Sequence, residues 1–286
     1  MRLAFKTRPQ NIEWSVMLET WKELDADPRY ESAWVFDHFY PIYGSEEGPC
    51  LEAWVTLSAL AQATERIRVG SMVNAAPYRH PGVCAAMASS LDIVSKGRLD
   101  LGLGAGWNEV EAGAYGISLT ERFDRFEEYL ECVVSLLSEP VTTFEGRFYT
   151  FTDARNEPKG PQQPTPPIVI GGAGPRRTMP LVAKWADHWN FPGGEAEKFA
   201  EVKGRLVKCC EEIGRDPAEI TTSTHLIYQA GDPVENVVAQ AEQYKEAGLD
   251  LAILYPFSDI EPASVHDMAD ALEPLVETVL LVVDDG

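Results

Sequence analysis

Two adjacent residues, Asp37 and His38, close the apolar run Ala33-Trp34-Val35-Phe36 in the stretch VFDHFYPIYG. Burying an acid and an imidazole without partners is costly, so a fold that makes the run a core strand sets the pair at an opening. Histidine titrates near neutrality and can pass a proton to or from a reacting group, and a nearby carboxylate can orient it. A histidine here can equally cap a loop through a backbone hydrogen bond, and the pair alone does not choose between the two. Neighbours on a strand point to opposite faces, so one residue can face a ligand while the other braces the turn.

A second chemistry-bearing stretch is PPIVIGGAGPRR, where Gly171, Gly172, Ala173 and Gly174 follow an apolar run and Pro175 suits the first turn of a helix. A glycine turn at a helix N-terminus exposes amides and a positive dipole end, which suits a phosphate, and Arg176 and Arg177 add charge beside it. The third stretch, GRLDLGLGAGW, carries Gly104, Ala105, Gly106 and Trp107. It is not a dinucleotide fingerprint, because the position three after Gly104 is Trp107 rather than glycine. These glycines let backbone approach a flat ligand, or they relieve crowding at a strand end. No metal site is expected: His38, His80, His188, His225 and His266 show no ligand spacing with one another or with cysteine. No GxSxG nucleophile motif occurs either.

Elements that can position these stretches alternate along the chain. Short apolar runs read as strands at 3–7, 33–36, 67–73, 98–103, 168–170, 187–191, 220–229 and 251–255. Helical periodicity follows each, at 14–24, 51–64, 80–95, 121–137, from 175, 195–213, 234–247 and 264–281. The aromatic residues within 14–21 and 122–129 read as core packing. Residues 141–151 read as a hairpin and 158–167 as a proline-rich segment, together an insertion near 141–166 after the fourth unit. Eight strand–helix pairs with right-handed crossovers close most simply as an α/β fold of the (β/α)8 TIM barrel type, a single domain over 1–286. An open doubly wound sheet is the alternative. In a barrel the chemistry sits where strands end, at the C-terminal face, and all three stretches fall there.

The charge balance narrows the partners. With 24 Lys and Arg against 45 Asp and Glu, the net charge is −21, which argues against nucleic acid and against an anionic membrane surface. Five cysteines without CxxC spacing read as thiols in a reducing compartment. The first residues lack the apolar core of a signal peptide and no run reaches membrane-spanning length. The expectation is a soluble, cytoplasmic protein acting on a small molecule.

Taken in order, AWVFDHFYP, the long block from EAWVTLSALAQ through GSMVN to GLGAGWNEVEAGAYG, ERFDRFEEYLE and PPIVIGGAGPRRTMPLVAKWADHWN resemble the bacterial luciferase-like flavin-dependent superfamily. The resemblance is specifically to its branch of coenzyme F420-dependent oxidoreductases. It covers residues 33–190, and the order and spacing of the blocks are more specific than any one of them. It implies a (β/α)8 barrel with an insertion, a deazaflavin in the barrel mouth and a homodimer. Asp37 and His38 match the family's pair, in which the histidine is an acid, a base or an orienting group. GSMVN matches a strand end with a non-prolyl cis peptide behind the ring, here Met72–Val73 or, in the other register, Val73–Asn74. Met72, Val73 and Asn74 would thus contact the cofactor, with Gly104, Ala105, Gly106 and Trp107 opposite and the turn 171–174 on its phosphate.

One departure matters. Sugar-phosphate dehydrogenases of the branch carry a catalytic glutamate just after the fourth-strand glycines, where this chain has Trp107, with Glu109 two residues on. That argues against glucose-phosphate oxidation and leaves the substrate open, with a wall against an apolar substrate as one role open to Trp107. The implied function is hydride transfer with F420. An FMN-dependent monooxygenase and a flavin-binding barrel without catalysis are the alternatives.

Overall fold

A computed structural model describes residues 1–277. Eight parallel strands close into a barrel in the order β1 (Arg2–Lys6), β2 (Tyr30–Val35), β3 (Arg68–Ser71), β5 (Leu99–Gly104), β8 (Ile168–Gly171), β9 (His188–Phe191), β10 (Thr221–Tyr228) and β11 (Leu251–Pro256). The ring shuts through β11 on β1, with Leu3 opposite Ala252, and through β3 on β5, with Val69 opposite Leu99. The doubly wound alternative is therefore excluded.

Each crossover is helical because its apolar residues recur at helical spacing. In α1 (Trp14–Ala26) Met17, Trp21 and Leu24 are buried, whereas Trp14 at the start of the helix stays exposed. The helices α2 (Ala53–Ala63), α3 (Pro81–Val94), α5 (Arg122–Ser138), α6 (Thr178–Trp185), α7 (Ala196–Ile213), α8 (Val234–Glu246) and α9 (Ser264–Leu272) complete the outer ring. Among the described residues no helix is long and apolar enough to cross a membrane.

Strand alternation sorts the side chains into two cores. Leu3 and Phe5 pack outward under the helices, while Ala4, Trp34, Val169, Leu251 and Ile253 fill the barrel interior. Polar residues share that interior only where they find partners. His188 Nε2 lies 2.6 Å from Ser223 Oγ, which also accepts from Asn190 Nδ2 at 3.0 Å. Burial, then the charge of Arg2, pulls His188 down to about 3, so it is neutral.

The insertion is the antiparallel hairpin β6 (Thr142–Glu145) and β7 (Thr150–Ala154) with the proline-rich segment after it. Gln162 fastens that segment to α3 by donating from its backbone and its side chain to Asp92, at 3.0 and 2.7 Å.

The differences from the sequence reading fall at strand ends. The expected strand 67–73 stops at Ser71, and after the cis peptide Met72–Val73 the chain resumes as β4 (Asn74–Ala75) beside β5. A short helix, α4 (Glu109–Ala114), occupies what read as loop. Helix α6 begins at Thr178 rather than Pro175, because residues 175–177 form a turn. Helix α9 ends at Leu272, followed by a 3-10 turn at Glu273–Leu275, and the rest of the expected helix past 277 lies outside the described residues.

Candidate active site

A cavity of 510 Å³ opens at the C-terminal ends of the strands, a size that suits a cofactor ring with a small ligand. Asp37, His38, Met72, Val73, Gly104, Ala105, Gly106, Trp107 and the turn Gly171, Gly172, Ala173 and Gly174 all line it. Asn74, Arg176 and Arg177 do not. Asn74 is buried behind the wall and donates to the Gly102 carbonyl at 2.8 Å. Arg176 is exposed, and Arg177 is exposed and paired with Asp124. Phe123, which read as core, instead lines the cavity.

Asp37 braces. Its carboxylate accepts from Arg79 at 2.6 and 3.0 Å and from the Ala75 backbone N–H at 3.1 Å, which ties the chain just past β2 to the end of β4 and to the segment after it. Arg79 is shared with Glu52 at 2.5 Å, so its charge is spent on two carboxylates.

His38 is held by a residue that the sequence reading did not single out. Its Nδ1 lies 2.5 Å from Glu111 Oε2, and the same carboxylate accepts from Tyr78 OH at 2.7 Å and from the Phe39 backbone N–H at 2.6 Å. Burial pushes Glu111 up, but the bonds from His38, Tyr78 and the Phe39 N–H prevail and leave it below its ordinary value. It is therefore an anion at neutral pH. A carboxylate only accepts, so Nδ1 carries the proton and Nε2 is the basic nitrogen. Among the described residues Nε2 has no protein partner. Tyr78 stays a protonated donor, pushed up by burial and by its bond to Glu111. The ring of His38 meets Trp107 edge-on, with centroids 5.7 Å apart, and Trp107 is 62% exposed at the rim.

Local sequence explains how Glu111 arrives there. Asn108 caps α4 by accepting from the Glu111 N–H at 3.2 Å, which starts the helix just past the fourth-strand glycines. The Asn108-x-x-Glu111 spacing is a capping-box signature, yet the glutamate turns inward to His38. The exposed Glu109, two residues earlier, pairs with Arg122 at the surface instead.

The walls fit a flat ring with an anionic tail. A Cβ at Gly104 would come within 2.6 Å of Val73 Cγ2, and one at Gly102 within 1.8 Å of the Ser71 carbonyl, so glycine lets the break after β3 lie against β5. In the turn, Gly172 has φ +126° and is anchored to β9, donating to the Asn190 carbonyl at 3.0 Å and accepting from Trp189 Nε1 at 2.7 Å. Among the described residues the N–H groups of Ala173 and Gly174 find no protein acceptor. That suits a phosphate. No group of three or more His, Cys, Asp or Glu side chains fit for a metal occurs among the described residues.

A family model described as luciferase-like monooxygenase matches residues 28–278. The chain belongs to that family. Among curated relatives of this luciferase-like protein, the F420-dependent glucose-6-phosphate dehydrogenase of Microbacterium testaceum (strain StLB037) is 34% identical over 206 residues, 70% of this chain and 60% of the relative. Pyrimidine monooxygenase RutA of Yersinia enterocolitica serotype O:8 / biotype 1B (strain NCTC 13174 / 8081) is 30% identical over 213 residues, 71% of this chain and 56% of the relative. The chain spans about half the length of the curated relatives it matches, between 43% and 60%. A solved F420-dependent secondary alcohol dehydrogenase in complex with an F420-acetone adduct superposes with a TM-score of 0.86 at 19% identity, over 96% of this chain and 99% of that one. That likeness shows the shared barrel.

Proposed function

We propose that this luciferase-like protein is a coenzyme F420-dependent oxidoreductase. It transfers a hydride between the deazaflavin and a small organic substrate, and His38 moves the accompanying proton. The observation that carries this reading is the fixed tautomer of His38: Glu111 holds Nδ1–H, and Nε2 is left basic beside the cavity. When bound, the deazaflavin supplies the two-electron chemistry. Val73, Gly104 and Gly171 would form the wall behind its ring, and the Ala173 and Gly174 amides would grip its phosphate, with Arg176 and Arg177 adding charge from outside. Asp37 keeps the β2 and β4 ends in register under the ring. Trp107, Ile42, Phe123 and Phe257 screen the mouth from water with apolar surface, which favours a small substrate with an apolar side.

A second reading, an FMN-dependent monooxygenase, is favoured by the likeness to RutA and by the description of the family model. The two cofactors separate it from the first, because a deazaflavin lacks the ring nitrogen that supports flavin oxygen activation. Titrating the protein with F420 and with FMN while following tryptophan fluorescence tests the choice, since Trp107 lies at the cavity rim. The expected result is tight F420 binding, followed by hydride exchange with alcohols or ketones. Binding of FMN alone would overturn the proposal in favour of the monooxygenase. F420 binding without turnover on any alcohol, ketone, enone or imine would favour a non-catalytic barrel.

A homodimer and a cytoplasmic setting belong to the same proposal. Val55 on α2 and Val83, Ile93 and Val94 on α3 are exposed on neighbouring helices, an apolar face suited to a second copy. All five cysteines are free thiols, in keeping with a reducing compartment.

A further inference from the structure

Lys6, the last residue of β1, is buried in the top interior layer of the barrel and lines the cavity. Strand alternation puts it there with His225 of β10 and Tyr255 of β11, each two residues beyond an inward-facing neighbour. Its Nζ donates to the Met72 carbonyl at 3.0 Å, lies 3.4 Å from His225 Nε2 and sits 4.4 Å from the Tyr255 ring centroid. The ring of Phe36, the residue just past β2, has its centroid 5.9 Å away. Among the described residues no carboxylate lies within salt-bridge distance of Lys6, although the chain carries 45 acidic residues. Asp37, the acid on the adjacent strand end, is taken by Arg79.

An amine without a counter-ion in an apolar site is kept from charging, and burial pulls Lys6 down to about 7. Burial first, and the Lys6 charge second, hold His225 well below its ordinary value, so its ring is a neutral acceptor. Two of the three N–H groups of an ammonium at Lys6 thus have partners, the Met72 carbonyl and His225 Nε2. The third is free for a ligand oxygen.

We propose that Lys6, oriented by His225 and the Met72 carbonyl, is an anion-binding group at the cavity floor that takes a ring-conjugated negative oxygen, of the phenolate or enolate kind, and charges as it does so. The proposal rests on reading the cavity as a ligand site and deepens that reading by naming a substrate or cofactor chemistry. Such an oxygen has two sources: the substrate, or the ring of the cofactor when it gains negative charge on reduction. The shared chemistry is an oxyanion paired with an ammonium that water does not reach.

The test needs neither turnover nor cofactor. Calorimetric binding of 4-nitrophenol at pH 8, in buffers of different ionisation enthalpy, counts protons, and the absorbance of the phenolate reports its charge. With Lys6 near pKa 7, the wild type should take up close to one proton on binding the phenolate. Lys6→Met should bind at least 10-fold more weakly with no uptake. Lys6→Arg, whose guanidinium is already charged, should retain binding without uptake, and it carries the test should Lys6→Met fail to fold. No phenolate binding by the wild type, no proton uptake, or the same uptake in Lys6→Arg would overturn the proposal. Oxidised and reduced FMN and F420 then locate the source. A preference for the reduced ring that Lys6→Met abolishes places the oxyanion on the cofactor; an unchanged preference places it on the substrate. Because the phenolate arm is independent of F420, failure of the oxidoreductase reading and failure of this subsite are separable.

Discussion

Replacing Glu111 tests the hold on His38 from two sides. The carboxylate is fully buried and accepts three bonds, from His38 Nδ1 at 2.5 Å, the Phe39 N–H at 2.6 Å and Tyr78 OH at 2.7 Å. Hydrogen bonds to a charged group are worth about 1.5–3 kcal/mol each, which sets a ceiling near 9 kcal/mol. The three donors are half-buried, so water recovers much of each bond in the variant. About 1 kcal/mol per donor survives that discount, and Glu111→Ala should cost about 3 kcal/mol in urea unfolding at neutral pH. Glu111→Gln keeps an acceptor for Phe39 but turns an amide donor on His38 or Tyr78, and should cost about 1–2 kcal/mol. The functional effect should be larger. An amide donating to Nδ1 forces the proton onto Nε2, the nitrogen that must be basic, and turnover should fall by roughly two to four orders of magnitude with F420 affinity kept. The pH dependence has a definite sign. The folded carboxyl lies below its ordinary value, so its stabilisation is full above the unfolded value of about 4.3 and is lost as pH falls through the folded one. The stability gap between wild type and Glu111→Gln should thus close on the acid side of about pH 4. A Glu111→Gln enzyme with wild-type turnover, or a gap that does not change in acid, would refute the reasoning.

His38→Ala should keep the fold and the F420 affinity while lowering turnover by about two to four orders of magnitude; a folded, loaded variant with wild-type turnover would rule His38 out as the proton carrier. Gly172→Val strains a residue at φ +126° and brings its Cβ to 3.2 Å from Thr178 Cγ2, so F420 binding should weaken, whereas fluorescence titration with unchanged affinity would remove the phosphate from this turn. Arg176→Ala with Arg177→Ala should leave stability nearly unchanged, because both are exposed, and should flatten the salt dependence of F420 binding; an unaltered salt slope would take both arginines out of the site. Val55→Glu with Val83→Glu should shift the protein to a monomer in light scattering, and a dimer that persists would place the interface elsewhere.

How far the sequence carries depends on what kind of signal each residue leaves. The barrel was legible because its eight parallel strands are buried on both faces, so runs such as Ile168-Val169-Ile170 stand out as apolar without alternation, and amphipathic stretches such as α5 follow them. The strand-end residues were legible for the same reason: Asp37, His38 and the glycine-rich turn 171–174 stand where an apolar run stops, and all of them line the cavity. Glu111 left no such mark. It lies in a six-residue helix too short for a periodic pattern, and its Asn108-x-x-Glu111 spacing reads as an exposed cap. Only the fold brings α4, which follows β5, against the end of β2 and buries that carboxylate under His38, 73 positions away in the chain. Lys6 differs. As a strand-end lysine it reads as a cation at the barrel mouth, available to a phosphate, but its burial and its partners follow from barrel closure, which sets β10 and β11 beside β1 and turns His225 and Tyr255 onto its amine. Residues whose partners come from neighbouring strands or from a following loop thus acquire their chemistry only at closure, and Glu111 and Lys6 are both of that kind.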